Sequence, residues 1–461
     1  MPYTVQIDGN DGTGKTSVIK KLLESEFVKA KGINDIKDRG LLTTLTDVHP
    51  DELPDELPGY EKGNFFDENA TRYIILDAEP DVSMRRIYNR GPPYDKYDKF
   101  PMIFKYRNRF MRLAIKYQTV FIDTTKLTID QVVEKVLSVL NPNLTMKAIK
   151  DMVLILPNPD NYDDDSFDKL PLVDQGHSKI IRAIDSNFTL VGYKPTVYSH
   201  KSQREGVVKL TDQERMKMTR SILYILDAEQ IPHAYIYIGT KYILCKRLDP
   251  QRDIPPIEVI VKKCCVGSDK YRYNGIDRLI GRSGMPIVEP DRREYEDLLV
   301  RCDYRNPNHV FCKKSDDPNV KMDTELVYPK YLTEEEEDAI LSDPTIYKKP
   351  KGDETVCDDL ADKFMNVSAT KTLARKTFQV LDKHFKKMGI YFEDVCFMIT
   401  TDGTHHYSEI SQDCGRYKKI EENGMTDLDK DIWRAGGSSE HVREKWAQLT
   451  VITHDYAKSI Y

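Results

Sequence analysis

Gly9-x-x-x-x-Gly14-Lys15-Thr16 has the residue types and spacing of a loop that holds nucleotide phosphates. Within the run Ile7-Asp8-Gly9-Asn10-Asp11-Gly12-Thr13-Gly14-Lys15-Thr16-Ser17, the glycines let backbone N–H groups close around phosphate oxygens. Lys15 reaches the β- and γ-phosphates and the Thr16 hydroxyl holds Mg²⁺, while Asn10, Thr13 and Ser17 belong to the same phosphate-binding run. Such chemistry needs a strand before the loop and a helix after it. Tyr3 to Ile7 reads as that strand, and Ser17 to Leu23 has helical periodicity, which puts the loop at a helix N-terminus, where anions bind well.

The elements that follow are those of a parallel sheet. Asp38-Arg39 places an acid beside a base; Tyr73 to Asp77 is a buried-strand pattern; Glu79-Pro80-Asp81 opens a helix carrying Arg85, Arg86 and Arg90. Asp95 to Lys99 is a polar loop, Phe104 to Tyr117 a basic amphipathic helix, Val120 to Asp123 a strand and Ile129 to Leu140 a closing helix. Strands alternating with helices predict a parallel α/β sheet with its ligand at the strands' carboxyl ends.

Residues 1 to about 142 resemble thymidylate kinase, a P-loop nucleoside-monophosphate kinase. The loop at Gly9–Thr16, Asp38-Arg39, Leu76-Asp77 with Pro80, and Arg86 and Arg90 match its nucleotide loop, its Asp-Arg motif, its fourth strand and the arginines leading into its lid. The resemblance implies ATP and Mg²⁺ as cofactors and a nucleoside monophosphate as acceptor. It places Thr16 and Asp38 near the metal, Asp11 near the acceptor, and Lys15, Arg39, Arg86 and Arg90 around the transferring phosphoryl group, where positioning and charge neutralisation carry catalysis. The chain also departs from that family. Asp38 follows Thr16 by only 22 positions, where the family inserts the segments that grip base and sugar, and Gly40 stands where it has tyrosine. The acceptor pocket is therefore truncated or rebuilt.

Asn141-Pro142-Asn143 and the acidic run Pro157 to Asp165 read as a join, with Met152 to Leu156 a strand docked on either side. Beyond residue 170 the pattern shifts to short strands at Ile180–Ile184, Thr189–Tyr193, Ala234–Gly239 and Tyr242–Cys245. A helix runs from Asp212 to Gln230 with Thr211 as its N-cap. Pro255 to Ser268, Gly176-His177-Ser178-Lys179, Lys246-Arg247-Leu248 and Tyr391 to Arg416 resemble segments of SAICAR synthetase, an ATP-dependent ligase that joins aspartate to a carboxy-aminoimidazole ribonucleotide. The resemblance covers roughly 170–285 and 365–420 and implies that Lys179 and Lys246 neutralise ATP phosphates. Gly267 and Ser268, aided by Lys262 and Arg416, then hold a second phosphate. Glu258 has two readings, an adenine contact or a structural pair with a lysine. Glu409 and Asp413 stand as metal ligands with Asp413 in the catalytic set; Asp394 and Asp402 are further candidates. Cys396, Met398 and Ser408 replace the lysine and two acids of the family pattern, His177 replaces a lysine and Lys262 an arginine. A changed substrate, or nucleotide binding without turnover, accounts for these departures.

His405-His406 looks like a ligand pair, but adjacent strand residues face opposite sides. Glu334 to Asp338 reads as a solvated helix start, and Leu373, Phe378, Leu381 and Phe385 as the core stripe of a helix over 368–388. The tail from Trp433 to Tyr461, helical from Glu440, has three surfaces to choose from: either domain or a second subunit, which makes a homo-oligomer one expectation.

The 461 residues carry 39% hydrophobic and 31% charged side chains with a net charge of −6, which offers no broad basic footprint for nucleic acid. Eight scattered cysteines without a C-x-x-C pair, no signal-peptide pattern and no apolar run of membrane-spanning length predict reduced thiols in a cytoplasmic protein without a membrane partner. The expected architecture is α/β. A shortened kinase-like P-loop sheet over 1–145 and a linker over 146–169 precede an α+β SAICAR-synthetase/ATP-grasp-like domain over 170–461. The expected substrates are a nucleoside monophosphate in the first part and a nucleotide carboxylate with an amine in the second. The fusion suggests nucleotide or DNA-base modification, by analogy in a virus such as a bacteriophage, which would place the protein in the host cytoplasm.

Overall fold

The structure, a computed structural model, describes residues 4–33, 35–60, 71–141, 154–199, 204–305, 309–314, 324–326, 332–350 and 352–461. Four strands make a wholly parallel sheet in the order Ile36–Asp38, Val5–Gly9, Arg72–Asp77, Val120–Asp123. The two central strands are buried along their length, as continuous apolar runs between covering helices require. The helices Lys15–Glu24, Pro80–Arg90, Phe100–Tyr117 and Ile129–Leu140 are present, the first beginning two residues and the third four residues before the periodicity put them. The first strand is set two residues later than expected, so it delivers Gly9 directly into the loop; Tyr3 lies outside the described residues.

The second half is built on two antiparallel sheets. A five-stranded sheet runs Tyr235–Ile238, Tyr242–Lys246, Phe188–Tyr193, Lys179–Ala183, Leu172–Gln175. A six-stranded sheet runs Glu354–Val356, Glu294–Tyr304, Ile257–Cys264, Ile390–Phe397, Gly415–Glu421, Gly424–Asp427. The helix Val367–Lys387 lays Leu373, Phe378, Leu381 and Phe385 into the core of the larger sheet, as its stripe predicts.

Two local expectations are corrected, and two that stood open take a definite form. The helix Thr211–Ala228 has Leu210, in a left-handed conformation, as its N-cap, because the Thr211 hydroxyl is buried and donates to the Val208 carbonyl at 2.7 Å. Met152 lies outside the described residues, while Leu154 bridges antiparallel to Phe121 and so docks on the first sheet. The polar run expected as linker is packed. Phe167 is buried and stacks on Tyr242 with ring centroids 4.2 Å apart, and Asp160 accepts hydrogen bonds from the Thr240 backbone and hydroxyl. Through Leu156, Phe167, Leu190 and Leu244 the hydrophobic core of the first sheet continues into the five-stranded sheet. The tail helix Ser439–Ile460 contacts both halves: Trp446 is buried, while His454 and Lys458 reach Asp51 and Glu52 at 3.3 and 2.6 Å. Among the described residues no helix is long and apolar enough to cross a membrane, and all eight cysteines are free.

Candidate nucleotide sites

The loop after Val5–Gly9 closes against the third strand and the helix Pro80–Arg90. Gly9 and Gly12 have φ of +135° and +75°. A Cβ on Gly9 would lie 2.1 Å from the Leu76 carbonyl oxygen and one on Gly12 2.4 Å from that of Ser83, so only glycine fits either position. Gly14, also left-handed, starts the helix Lys15–Glu24 without a side-chain cap, leaving the first-turn amides of Lys15, Thr16 and Ser17 for an anion. Asn10 donates to the Ile103 carbonyl and Thr13 to the Asn10 carbonyl, fastening the loop from behind. Lys15 is buried, with Nζ donating to the Gly9 and Asn10 carbonyls at 2.8 Å each; burial pulls its ammonium down to about 8.

The parallel pairing of Ile7 with Asp38 brings the Asp-Arg pair to the loop. Asp38 accepts a hydrogen bond from the exposed Thr16 hydroxyl at 2.9 Å, and Arg39 meets Asp11 at 2.5 Å. Thr16 and Asp38 together offer the hard oxygen donors that suit Mg²⁺. Arg86 and Arg90, expected around the transferring phosphoryl group, are engaged within the protein. Arg86 donates to the Thr124 hydroxyl and carbonyl at 2.9 and 2.7 Å and to the Gly12 carbonyl at 3.4 Å; Arg90 pairs with Asp98 at 2.7 Å.

Sequence reasoning missed several groups here. Asp11, Asp95 and Asp98 form the one group of three or more metal-capable side chains among the described residues, within 4.8 Å of one another, and Arg39 and Arg90 already neutralise two of them. Arg107 grips Asp77 through Nε and Nη2 at 2.9–3.0 Å and Glu79 through its two Nη atoms. Burial pushes the Asp77 carboxyl up to about 6, with Arg107 opposing. The signal was present: a basic helix facing a strand that ends in a lone acid.

The second site lies where the two antiparallel sheets approach. Lys179 donates to Ser408 at 2.5 Å, and Lys246 is exposed at the end of its strand. Lys262 and Arg416 converge on one oxygen of Asp394, each at 2.6 Å. Against the cost of burial, these two cations hold the Asp394 carboxyl below its usual range. Gly267 lies over the Arg416 guanidinium, where a Cβ would stand 2.7 Å from Nη2, and Ser268 accepts from Arg301 at 2.9 Å. Lys262, Gly267, Ser268 and Arg416 are thus brought together, with both cations already paired: Arg416 also holds Asp431 at 2.8 Å. Glu258 has neither expected lysine nor free carboxylate: Arg305 lies 3.4 Å away, Cys396 donates to it at 3.3 Å, and burial raises its carboxyl.

The expected metal ligands of this half are engaged within the protein to different degrees. Glu409 is buried and takes both Nε and Nη2 of the fully buried Arg215, at 2.9 and 2.5 Å, and the Ser411 hydroxyl at 2.8 Å, so its oxygens are already filled. Asp413 lies 3.0 Å from Lys430, Asp394 carries two cations, and Asp402 is turned onto Thr400 and Thr404. The buried Asp413 Oδ1 accepts no hydrogen bond among the described residues, while both oxygens of Glu409 and one of Asp394 are taken by cations of the protein. His406 is buried on the Thr377 hydroxyl at 2.8 Å while His405 meets Thr404 at 2.7 Å.

One chain therefore presents a glycine-rich loop at a helix N-terminus beside a parallel sheet, and a cluster of paired cations and acids on the six-stranded antiparallel sheet. The sequence profile of the SAICAR synthetase family matches residues 172–449, and the chain belongs to that family. Bifunctional cordycepin biosynthesis cluster protein 3 of Cordyceps militaris is 24% identical over 546 aligned residues, which take in 98% of this chain; the chain spans 60% of that relative's length. Phosphoribosylaminoimidazole-succinocarboxamide synthase from Ehrlichia chaffeensis overlaps with a TM-score of 0.44 at 16% identity, over 61% of this chain and 98% of its own. SAICAR-synthase from Saccharomyces cerevisiae, complexed with SAICAR, overlaps with a TM-score of 0.40 at 13% identity, over 64% and 97%.

Proposed function

We propose that the chain is a bifunctional, ATP-dependent nucleotide enzyme. Residues 1–145 transfer the γ-phosphoryl group of ATP to a nucleoside monophosphate, and residues 170–461 join an amine to a nucleotide carboxylate. The observation that carries the first half is Lys15, buried and held on the Gly9 and Asn10 carbonyls beneath uncapped helix amides. There the amides and Lys15 would grip the β- and γ-phosphates, and Thr16 and Asp38 would hold Mg²⁺, which supplies charge neutralisation between those phosphates. Arg39 and Asp11 stand at the acceptor side, with Arg86 bracing the loop through Gly12. Family membership supports the ligase half, with Lys179 and Lys246 toward ATP and the Lys262–Gly267–Ser268–Arg416 corner toward a substrate phosphate. The word bifunctional in the relative's name is in keeping with two activities on one chain.

One observation favours a second reading of residues 170–461, a module that binds nucleotide with little turnover: Arg215 occupies the oxygens of Glu409. Mass spectrometry of products separates the readings. The purified chain is given ATP and Mg²⁺ with a panel of nucleoside monophosphates, then with carboxy-aminoimidazole ribonucleotide and aspartate. A nucleoside diphosphate lost only in Lys15→Ala establishes the kinase half. A succinocarboxamide lost only in Lys179→Ala establishes the ligase half, and its absence from wild type supports the binding module. ATP bound without any diphosphate from the panel would sink the kinase assignment.

A further inference from the structure

We propose that the strand pair Thr196–Ser199 and Arg204–Val207 positions the nucleotide loop Gly176–Lys179 of the second half, with His177 as the anchor. This role rests on the reading of that loop as an ATP contact. His177 stands where the family pattern has a lysine, and its side chain turns to the strand pair. Its ring stacks flat on Tyr198, with centroids 4.5 Å apart and planes 7° apart, and Nδ1 lies 3.2 Å from Glu205 Oε1. The loop's backbone is held by the same segment. Lys194 Nζ donates to the Gly176 carbonyl at 2.9 Å, the Thr196 hydroxyl to that of His177 at 2.5 Å, and the Lys194 amide to that of Ser178 at 2.9 Å. Arg215, which also grips Glu409, adds a second bond to the Ser178 carbonyl at 3.2 Å.

Three consecutive carbonyls are thus committed to the protein, while the amides of His177 and Ser178 meet no acceptor among the described residues. Amides left open in a loop that is held from behind are donors for an anion, here a phosphate of ATP. The strand pair is itself rooted in the tail. Val197 is buried in one cluster with Ile432, Trp433, Val442 and Trp446. The Arg204 guanidinium lies 3.4 Å from the centre of the Trp433 ring and donates to the Trp433 and Gly437 carbonyls at 2.8 and 3.0 Å. A Cβ on Gly206 would stand 2.8 Å from the same ring, so strand and indole are in direct contact. A loop fixed in advance does not have to be ordered by its ligand, and a residue that never touches phosphate raises affinity in this way. His177 thereby gives position where the family lysine would give charge.

Titration of the full chain with a non-hydrolysable ATP analogue and Mg²⁺ tests this, in a Lys15→Met parent that silences the first site. Lys179→Met is expected to abolish the remaining binding. His177→Ala and Tyr198→Leu are each expected to weaken it about five-fold, the scale of one aromatic pair, and the double variant no further than either single. Tyr198→Phe and His177→Phe keep the stacked rings and are expected to stay within about two-fold of the parent. That rescue separates position from a folding defect and from a direct phosphate contact of the imidazole. Losses that add in the double variant, an unchanged Tyr198→Leu, or a His177→Phe as weak as His177→Ala would overturn the positioning role while Lys179→Met still marked the loop as a nucleotide contact. No binding in the parent, or binding indifferent to Lys179→Met, would instead show that the loop is not an ATP contact, and the positioning role falls with it.

Discussion

At the proposed phosphate site Lys15 is buried, and burial sets a limit on its charge. Its ammonium has been pulled from 10.5 to about 8 by loss of water, so the free site loses its charge as pH rises through about 8. The sign for stability is the reverse: the folded state binds that proton less readily than the unfolded chain, so this cost of burial is relieved between about pH 8 and 10.5. With the second site silenced by Lys179→Met, ATP affinity is expected to hold from pH 6 to 7.5 and then fall by up to about ten-fold per pH unit. Equilibrium dialysis across that range checks it, and a flat profile to pH 9.5 would count against Lys15 as the phosphate contact. The glycines of the loop separate by the same physical logic. Gly12→Ala drives a methyl into the Ser83 backbone and is expected to abolish binding, whereas Gly14→Ala meets open space and costs only the ~1–2 kcal/mol of a left-handed alanine. Fluorescent-nucleotide titration of the two variants tells them apart.

At the scale of elements, the helix Phe100–Tyr117 does more than cover the sheet. Arg107 on it neutralises Asp77, buried at the end of the third strand. Arg107→Leu leaves that carboxylate unpaired and is expected to cost about 3–5 kcal/mol at pH 7. The loss shrinks at pH 5, because a carboxyl whose ordinary value has been raised to about 6 is protonated there; urea unfolding at both pH values reads the difference. In the other half, Glu409→Gln is expected to weaken the Arg215 pairing and lower stability while leaving the Mg²⁺ dependence of ATP turnover unchanged. A shifted Mg²⁺ requirement would restore Glu409 as a ligand. The sequence made the loop, the strand order's α/β alternation and the core stripe of Val367–Lys387 legible, because each is a local pattern of glycine placement or apolar period. It hid Arg107 with Asp77 and Arg215 with Glu409, since each partner lies on a different element and a charged residue's spacing does not say whom it will meet. It also misjudged Thr211, whose hydroxyl turns back to Val208 rather than forward to a helix amide. The packed run around Phe167 was read as linker because its acids outnumber its few apolar anchors.

Across the whole molecule, the two halves share one core rather than a flexible tether. Leu156, Phe167, Leu190 and Leu244 join the cluster that holds the first sheet, and Asp227 on the second half takes Asn108, Arg112 and His233. Scanning calorimetry is therefore expected to show one cooperative transition, and two well-separated transitions would mean that the halves stand apart. The central claim is that this one chain carries two nucleotide sites. The direct measurement is the stoichiometry of a non-hydrolysable ATP analogue bound to wild type, Lys15→Met and Lys179→Met. The account predicts two equivalents on wild type and one on each variant, with the loss at a different site in each. A single equivalent on wild type, removed by one variant and untouched by the other, would contradict it.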